Sequence, residues 1–168
     1  GYIVVDQSFT VKGVGTVALG FVKRGSIKRH DEVVILPSNK RSEIRSIQVQ
    51  DVDREYAVNG TRVGVALKNV NPDDVPKGSI IAYPDTMKIS ETIRLKVRKN
   101  PVIKDSLNID SKVQIYNNFA RYVGKVNDIS SDHIMFSFEN KIILNEDAYI
   151  ISHQEKIPRI YGGGKLIQ

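Results

Sequence analysis

The chain has no cysteine and no tryptophan, and only 2 methionines and 3 histidines among its 168 residues. Without thiols it can form no disulfide, no thiolate zinc site and no cysteine nucleophile. No apolar run approaches the roughly 18 residues that a membrane-spanning helix needs, and no charged-then-apolar leader opens the chain. These absences lead to the expectation of a soluble, cytoplasmic protein that makes no membrane contact. With 12 glycines and 6 prolines, the composition also excludes a collagen-like or low-complexity chain. What remains is 40% hydrophobic and 26% charged, enough to bury a core in one large domain or two small ones.

Charge is the first functional signal. Lys and Arg number 25 against 19 acids, a net charge of +6, with the excess shared evenly on either side of Pro84. Such a field concentrates polyanions and makes nucleic acid the natural partner class, although the same charge also serves solubility alone.

Almost nothing in the pattern is helical. Short runs rich in Val, Ile, Phe and Tyr recur between Gly, Asn, Asp and Pro, which predicts strands over 1–6, 9–12, 15–23, 32–36, 43–49, 62–68 and 79–82. A second set follows over 92–97, 112–116, 120–128, 133–138, 148–152 and 159–167, and the one plausible helical turn is 72–75. Tyr83-Pro84-Asp85 is the best boundary, because proline stops a central ladder. The fold predicted is all-β: two closed antiparallel β-barrels, 1–84 and 85–168, since closing each sheet removes its exposed edges.

Two strands repay a face-by-face reading, because successive side chains alternate. Ser46, Gln48 and Gln50 fall on one face as a polar row, opposite Ile47 and Val49. Val17, Leu19 and Phe21 share a face, leaving a small face of Ala18 and Gly20 where a ligand or another backbone could come close. The same residues also fit a plain solvated surface and a bend in a barrel.

No catalytic constellation can be assembled. Gly15 through Gly20 lacks the Lys and hydroxyl of a phosphate-binding loop, and Gly162-Gly163-Gly164-Lys165 leads into no helix. His30, His133 and His153 are scattered without ligand spacing. Asp51, Asp53 and Glu55 would share a face if extended, but Arg54 between them favours a solvated run over a cation site. The expectation is therefore no enzyme and no metal.

A family resemblance rests on particular residues. Asp6 near Phe9, then Gly13-Val14-Gly15-Thr16-Val17 with Gly20, then Arg24-Gly25, resembles the opening of domain II of the translational GTPases. Ile27-Lys28-Arg29-His30-Asp31-Glu32-Val33 is similar to the family's I-x-x-G-D-E-V, with His30 in place of Gly. The run Arg45-Ser46-Ile47-Gln48 resembles the SelB branch, the selenocysteine-specific elongation factors, more than elongation factor Tu. Val75-Pro76-Lys77-Gly78 resembles the closing segment of domain II. Lys112 through Tyr116, Val123-Gly124-Lys125-Val126 and Ile157-Pro158-Arg159-Ile160-Tyr161-Gly162-Gly163-Gly164-Lys165 are similar to domain III.

The resemblance implies aminoacyl-tRNA and the ribosome as partners, with the aminoacylated 3′ end against Asp6, Gln7, Phe9, Gln48, Gln50 and Arg62. A carboxylate or amide suits an α-amino group, an Arg suits a terminal phosphate, and an aromatic suits adenine, although Phe9 fits core packing equally well. Arg24, Lys28, Arg29, Arg159 and Lys165 are implied as RNA-backbone contacts. SelB-type factors place an Arg after the first-strand Asp and a His in the polar row. At those positions this chain has neutral Gln7 and Gln50, which predicts a factor that does not select selenocysteine. No cofactor is expected in the chain itself; GTP and magnesium would enter only with a G domain preceding it in the same polypeptide. The chain opens at Gly1 on a strand, which fits the C-terminal portion of a larger factor, a processed or tagged chain, or a stand-alone adaptor. The alternative function is a protein-interaction scaffold with little direct RNA binding.

Overall fold

The computed structural model describes residues 1–153 and 159–167. Ile157 and Pro158 of the domain III resemblance lie outside the described residues. The chain divides into two compact units, Gly1–Met87 and Lys88–Gln168.

The first unit contains β1 (Tyr2–Val11), β2 (Gly15–Arg24), β3 (Ser26–Lys28), β4 (Glu32–Leu36), β5 (Lys40–Val49), β6 (Val52–Arg54), β7 (Tyr56–Val58), β8 (Arg62–Leu67) and β9 (Ile80–Ala82). Seven of these form one antiparallel sheet in the order β4-β9-β1-β2-β8-β5-β6, and β4 pairs in addition with β5. Strands β3 and β7 form a separate two-stranded sheet. The second unit is a closed barrel of β10 (Lys88–Lys99), β13 (Ile134–Leu144), β12 (Ala120–Ile129), β11 (Lys112–Asn117), β14 (Tyr149–His153) and β15 (Ile160–Leu166), in that order around the ring. The all-β expectation holds, with one closed barrel in the second half. The first half is larger than a plain ring: β6 continues the sheet past β5 as the return arm of a hairpin.

Alternation explains why these segments are strands. Along β2, Ala18 and Val22 are fully buried while Val17, Leu19 and Phe21 are half-buried on the outer face. The core of the first unit gathers Ile3, Val5, Ile35, Ile44, Ile47 and Val65 from one face of each strand. That of the second gathers Leu95, Ile115, Val126, Phe136, Tyr149 and Ile151. Each side chain of this size contributes roughly 1.5–3 kcal/mol when fully buried.

Three local features differ from the sequence reading. The break expected after Asp6 is a β-bulge: Val5 faces Gly20 and Gln7 faces Leu19, so Asp6 is the extra residue in one continuous strand. The small face of Ala18 and Gly20 points into the core rather than toward a ligand, and a Cβ on Gly20 would run into the Val4 carbonyl. Gln50 lies in the turn between β5 and β6, where Gln50 (φ 51°) and Asp51 (φ 61°) both take the left-handed backbone. Two such residues between Val49 and Val52 make the I′-type turn that a tight hairpin favours. Gln50 therefore leaves the polar row.

His30, standing where the family pattern has glycine, also adopts φ 68°, the backbone that glycine tolerates best. Its Nδ1 lies 3.0 Å from Glu43 Oε1. After β9, the Tyr83 hydroxyl donates to Asp31 Oδ2 (2.5 Å) and to the Ser26 carbonyl (3.3 Å), holding this segment to the first unit. Burial and the neighbouring Asp31 carboxylate push that phenol up to about 12.

The glycines make the packing testable. Gly20→Ala should destabilise the first unit by about 2 kcal/mol, because inward backbone cannot give way. Gly163→Ala should be nearly neutral, since the nearest atom to its Cβ would be the Tyr149 carbonyl at 3.8 Å. Urea denaturation midpoints of the two variants check the contrast.

Candidate nucleic-acid interface

Gln7, Phe9, Gln48 and Arg62 sit on the outer face of four adjacent strands. Ladder register puts Gln7 opposite Leu19, Leu19 opposite Gly64, and Gly64 opposite Gln48. Two residues along the strands, a second row runs Phe9, Val17, Ala66, Ser46. Arg62 lies two residues from Gly64 on the same strand and faces Phe21. Gln7, Phe9, Gln48 and Arg62 are exposed, and Phe9 at 39% is not a core residue. A Cβ on Gly64 would come within 3.1 Å of a Leu19 methyl, so glycine there keeps the centre of the platform low.

Polar groups border this apolar floor. The Gln48 amide donates to Asp53 Oδ1 at 3.0 Å, which orients its carbonyl. Asp6, half-buried at the bulge, accepts from Lys77 at 2.6 Å. Between β1 and residues 72–77 lies an open recess of about 490 Å³, lined by Asp6, Gln7, Ser8, Asp73 and Lys77 with Pro72 and Pro76. Its far wall is braced. Ser8 Oγ bonds the carbonyls of Pro72 (3.1 Å) and Val75 (2.8 Å), and Lys40 holds Asp74 at 2.7 Å. The Lys40 ammonium and the Asn71 N–H together hold the Asp74 carboxyl below the ordinary range.

The structure brings Asp6, Gln7, Phe9, Gln48 and Arg62 to one side of one sheet, and separates Gln50 into the turn. Of the basic candidates, Arg24 is exposed at the end of β2 and Lys28 is exposed on β3. Arg29 is occupied: its guanidinium bonds the Arg45 carbonyl at 3.1 Å and Glu55 at 3.3 Å. With Asp51 in the turn, Asp53 on Gln48 and Glu55 on Arg29, the three acids do not converge. Among the described residues no group of three or more potential metal ligands is present. No helix among them is long and apolar enough to cross a membrane.

In the second unit, Lys165 is exposed on β15 and faces Lys96 on β10. Arg94, Lys96 and Arg98 alternate outward along β10, which makes a cationic stripe beside Lys165. Arg159 is exposed, and its carbonyl accepts from the His153 N–H and Ser152 Oγ. The sequence reading missed the stripe and the recess wall. The first was legible as cations at every second position of Arg94-Leu95-Lys96-Val97-Arg98; the second was visible only as a turn.

Residues 15–82 match the family described as elongation factor Tu domain 2. A selenocysteine-specific elongation factor of Methanocaldococcus jannaschii is 29% identical over 97% of this chain and 40% of its own length. The chain is similar to the SelB and elongation factor Tu translation factors. An uncharacterized protein of the same archaeon is 32% identical over 98% of this chain and 53% of its own length. An elongation factor 1-alpha of Pyrobaculum aerophilum is 35% identical over 49% of this chain. The crystal structure of translation elongation factor SelB from Methanococcus maripaludis, apo form, matches with a TM-score of 0.87 at 25% identity, covering 99% of this chain and 41% of that one. The chain thus spans about half or less of the length of these relatives.

A second recess of about 250 Å³ lies by Glu32, Arg41, Glu43 and Lys68. Glu43 accepts from Lys68 Nζ on both oxygens at 2.7 Å and lies 3.0 Å from His30. Lys68 first, then His30, hold its carboxyl below the usual 4.5. A carboxylate with a depressed folded value stabilises above its unfolded value and loses that contribution as pH falls through the folded one. The denaturation midpoint of the parent should therefore drop below pH 4.5, and Glu43→Gln should flatten that drop.

Proposed function

We propose that this chain is the tRNA- and ribosome-facing part of a SelB-like or elongation factor Tu-like factor, working in the cytoplasm. The outer face of the first sheet receives the aminoacylated 3′ end of a tRNA. The observation that carries this reading is the cross-strand row: Gln7 and Gln48 stand on one outward face, with Arg62 beside them and only Leu19 and Gly64 between. Two amides, a guanidinium, a low apolar floor and the exposed Phe9 ring offer hydrogen bonds, a phosphate partner and a stacking surface within one patch.

The β4–β5 ladder supports reading the first sheet as a second barrel, with β6 as an appendage. The units correspond to a domain II over 1–84 and a domain III over 85–168. Lys165, with Arg94, Lys96 and Arg98, supplies phosphate contacts that read charge and shape rather than base sequence. Arg24, Lys28 and Arg159 are further backbone contacts; Arg29, tied to Glu55, is a weaker candidate. GTP and magnesium would act through a G domain if one precedes this chain in the same polypeptide, as in related factors.

The pocket is neutral where a selenolate would need cations. Gln7, and Gln48 as the row partner that Gln50 was expected to be, leave Arg62 as the one cation among the 3′-end candidates. The factor does not select selenocysteine.

Protection of the aminoacyl ester from hydrolysis tests this reading, because only a protein covering the 3′ end slows deacylation. Arg62→Ala and Gln48→Ala should each weaken aminoacyl-tRNA binding about tenfold, the equivalent of ~1.4 kcal/mol for a lost charge-assisted or amide bond. Lys165→Ala should lower the salt dependence of binding by about one unit of slope. A salt-insensitive interaction with no ester protection would favour the scaffold alternative. Preference for selenocysteinyl-tRNA over other aminoacyl-tRNAs would refute the neutral-pocket reading.

A further inference from the structure

The small sheet of β3 and β7 buries one side and leaves the other bare. Its central pair, Ile27 and Ala57, belongs to the core of the first unit. Ser26, Lys28, Tyr56 and Val58 fall on the opposite side, with Lys28 directly across from Tyr56 and Ser26 across from Val58. Tyr56 is 61% exposed and Val58 48%. Neither the Tyr56 side chain nor the Lys28 ammonium has a hydrogen-bond, ion-pair or ring partner among the described residues.

This face is held firmly from its edges. The Arg29 N–H donates to the Glu55 carbonyl at 2.9 Å and the Asn59 N–H to the Gly25 carbonyl at 2.8 Å, which closes the ladder at both ends. The Tyr83 hydroxyl grips the Ser26 carbonyl, and the Lys28 N–H donates to Asp31 Oδ2 at 2.6 Å. A ring presented from so fixed a ribbon loses little freedom on binding, since tyrosine has only two side-chain torsions. The surroundings are positive. Lys23, Arg24, Lys28 and Arg29 crowd the segment 23–31 against one acid, Asp31, and Glu55 is already engaged by Arg29.

We infer that this face stacks an unpaired base of single-stranded RNA on Tyr56 and holds the adjoining phosphate with Lys28. A cation across the ladder from a free aromatic ring matches a ligand that joins a flat π-face to a negative charge, which is what one nucleotide is. A duplex hides its base faces, whereas a loop, bulge or frayed end offers them. Val58, on the same side of the ribbon, extends the apolar floor. Stacking tolerates any base, so the site reads strandedness rather than sequence. It shares Lys28 with the backbone contacts proposed above, but the 3′-end row lies on the other sheet and is not needed for it.

Fluorescence anisotropy of the 168-residue chain with a labelled short oligoadenylate tests this, using a 3′-phosphate on the strand and the same strand annealed to its complement as reference. The single strand should bind more tightly than the duplex. Tyr56→Ala should weaken single-strand binding about tenfold, and Tyr56→Phe should leave it unchanged. Lys28→Ala should lower the salt slope by about 0.7, the value for one phosphate of a single strand. Arg62→Ala should change neither. With Tyr56 and Lys28 exposed, their variants should keep the parent's denaturation midpoint. Equal binding by the parent and Tyr56→Ala would overturn the inference, and a persisting Lys28 slope effect would leave the backbone-contact reading standing. A duplex bound as tightly as the strand would overturn it as well. Tyr56-dependent self-association of the RNA-free chain in sedimentation would assign the face to a second copy and overturn it too.

Discussion

Backbone pairing between β1, β2, β8 and β5 decides which side chains can act together in the first unit. Gln7 and Gln48 are separated by 40 residues of chain, yet the ladders set them in one line with only Leu19 and Gly64 intervening. The same alternation that turns Ala18 and Val22 into the core turns Val17, Leu19 and Phe21 outward as a floor. Core and interface are thus two faces of one hydrogen-bonded network. A shift of one residue in any of these pairings would bury the polar row and expose the core, so the core's demand for apolar side chains also secures the outward row.

Much of this was legible in the sequence where segments were long enough to alternate. The strands carrying Val17 to Phe21, Ile44 to Gln48 and Arg62 to Leu67 show their two faces directly. Strands β3, β6 and β7, at three residues each, are too short to display a period and are absent from the predicted strands. The strand break expected after Asp6 and the place of Gln50 in the polar row differ from the structure for different reasons. Counting alternate positions assumes an unbroken pleat, and the bulge at Asp6 inserts a residue while the turn at Gln50 and Asp51 ends the pleat early. Both errors come from backbone conformations that side-chain identity signals weakly, since Asn or Gly would mark such a turn more plainly than Gln-Asp.

The two units divide the chemistry. The first offers amides, a carboxylate and an aromatic ring, groups that distinguish one small chemical feature from another. The second offers repeated cations on β10 and β15, a pattern suited to charge and shape rather than to chemical detail. Its interior amide cluster serves rigidity instead: Asn117 and Asn145 bond each other and brace the β13–β14 connection.

The bulge at Asp6 has a geometric effect beyond its own pairing. One surplus residue lets the acid and the amide that follows it both reach the outer side, where a regular pleat would send one of them inward. It works as a vernier between the two ends of β1: upstream, Ile3 and Val5 are aligned to the interior, and downstream, Gln7 and Phe9 are aligned to the exterior. Excising a single residue there would leave the strand equally long to the eye but out of phase, trading the outward polar row for a row of misplaced aliphatics.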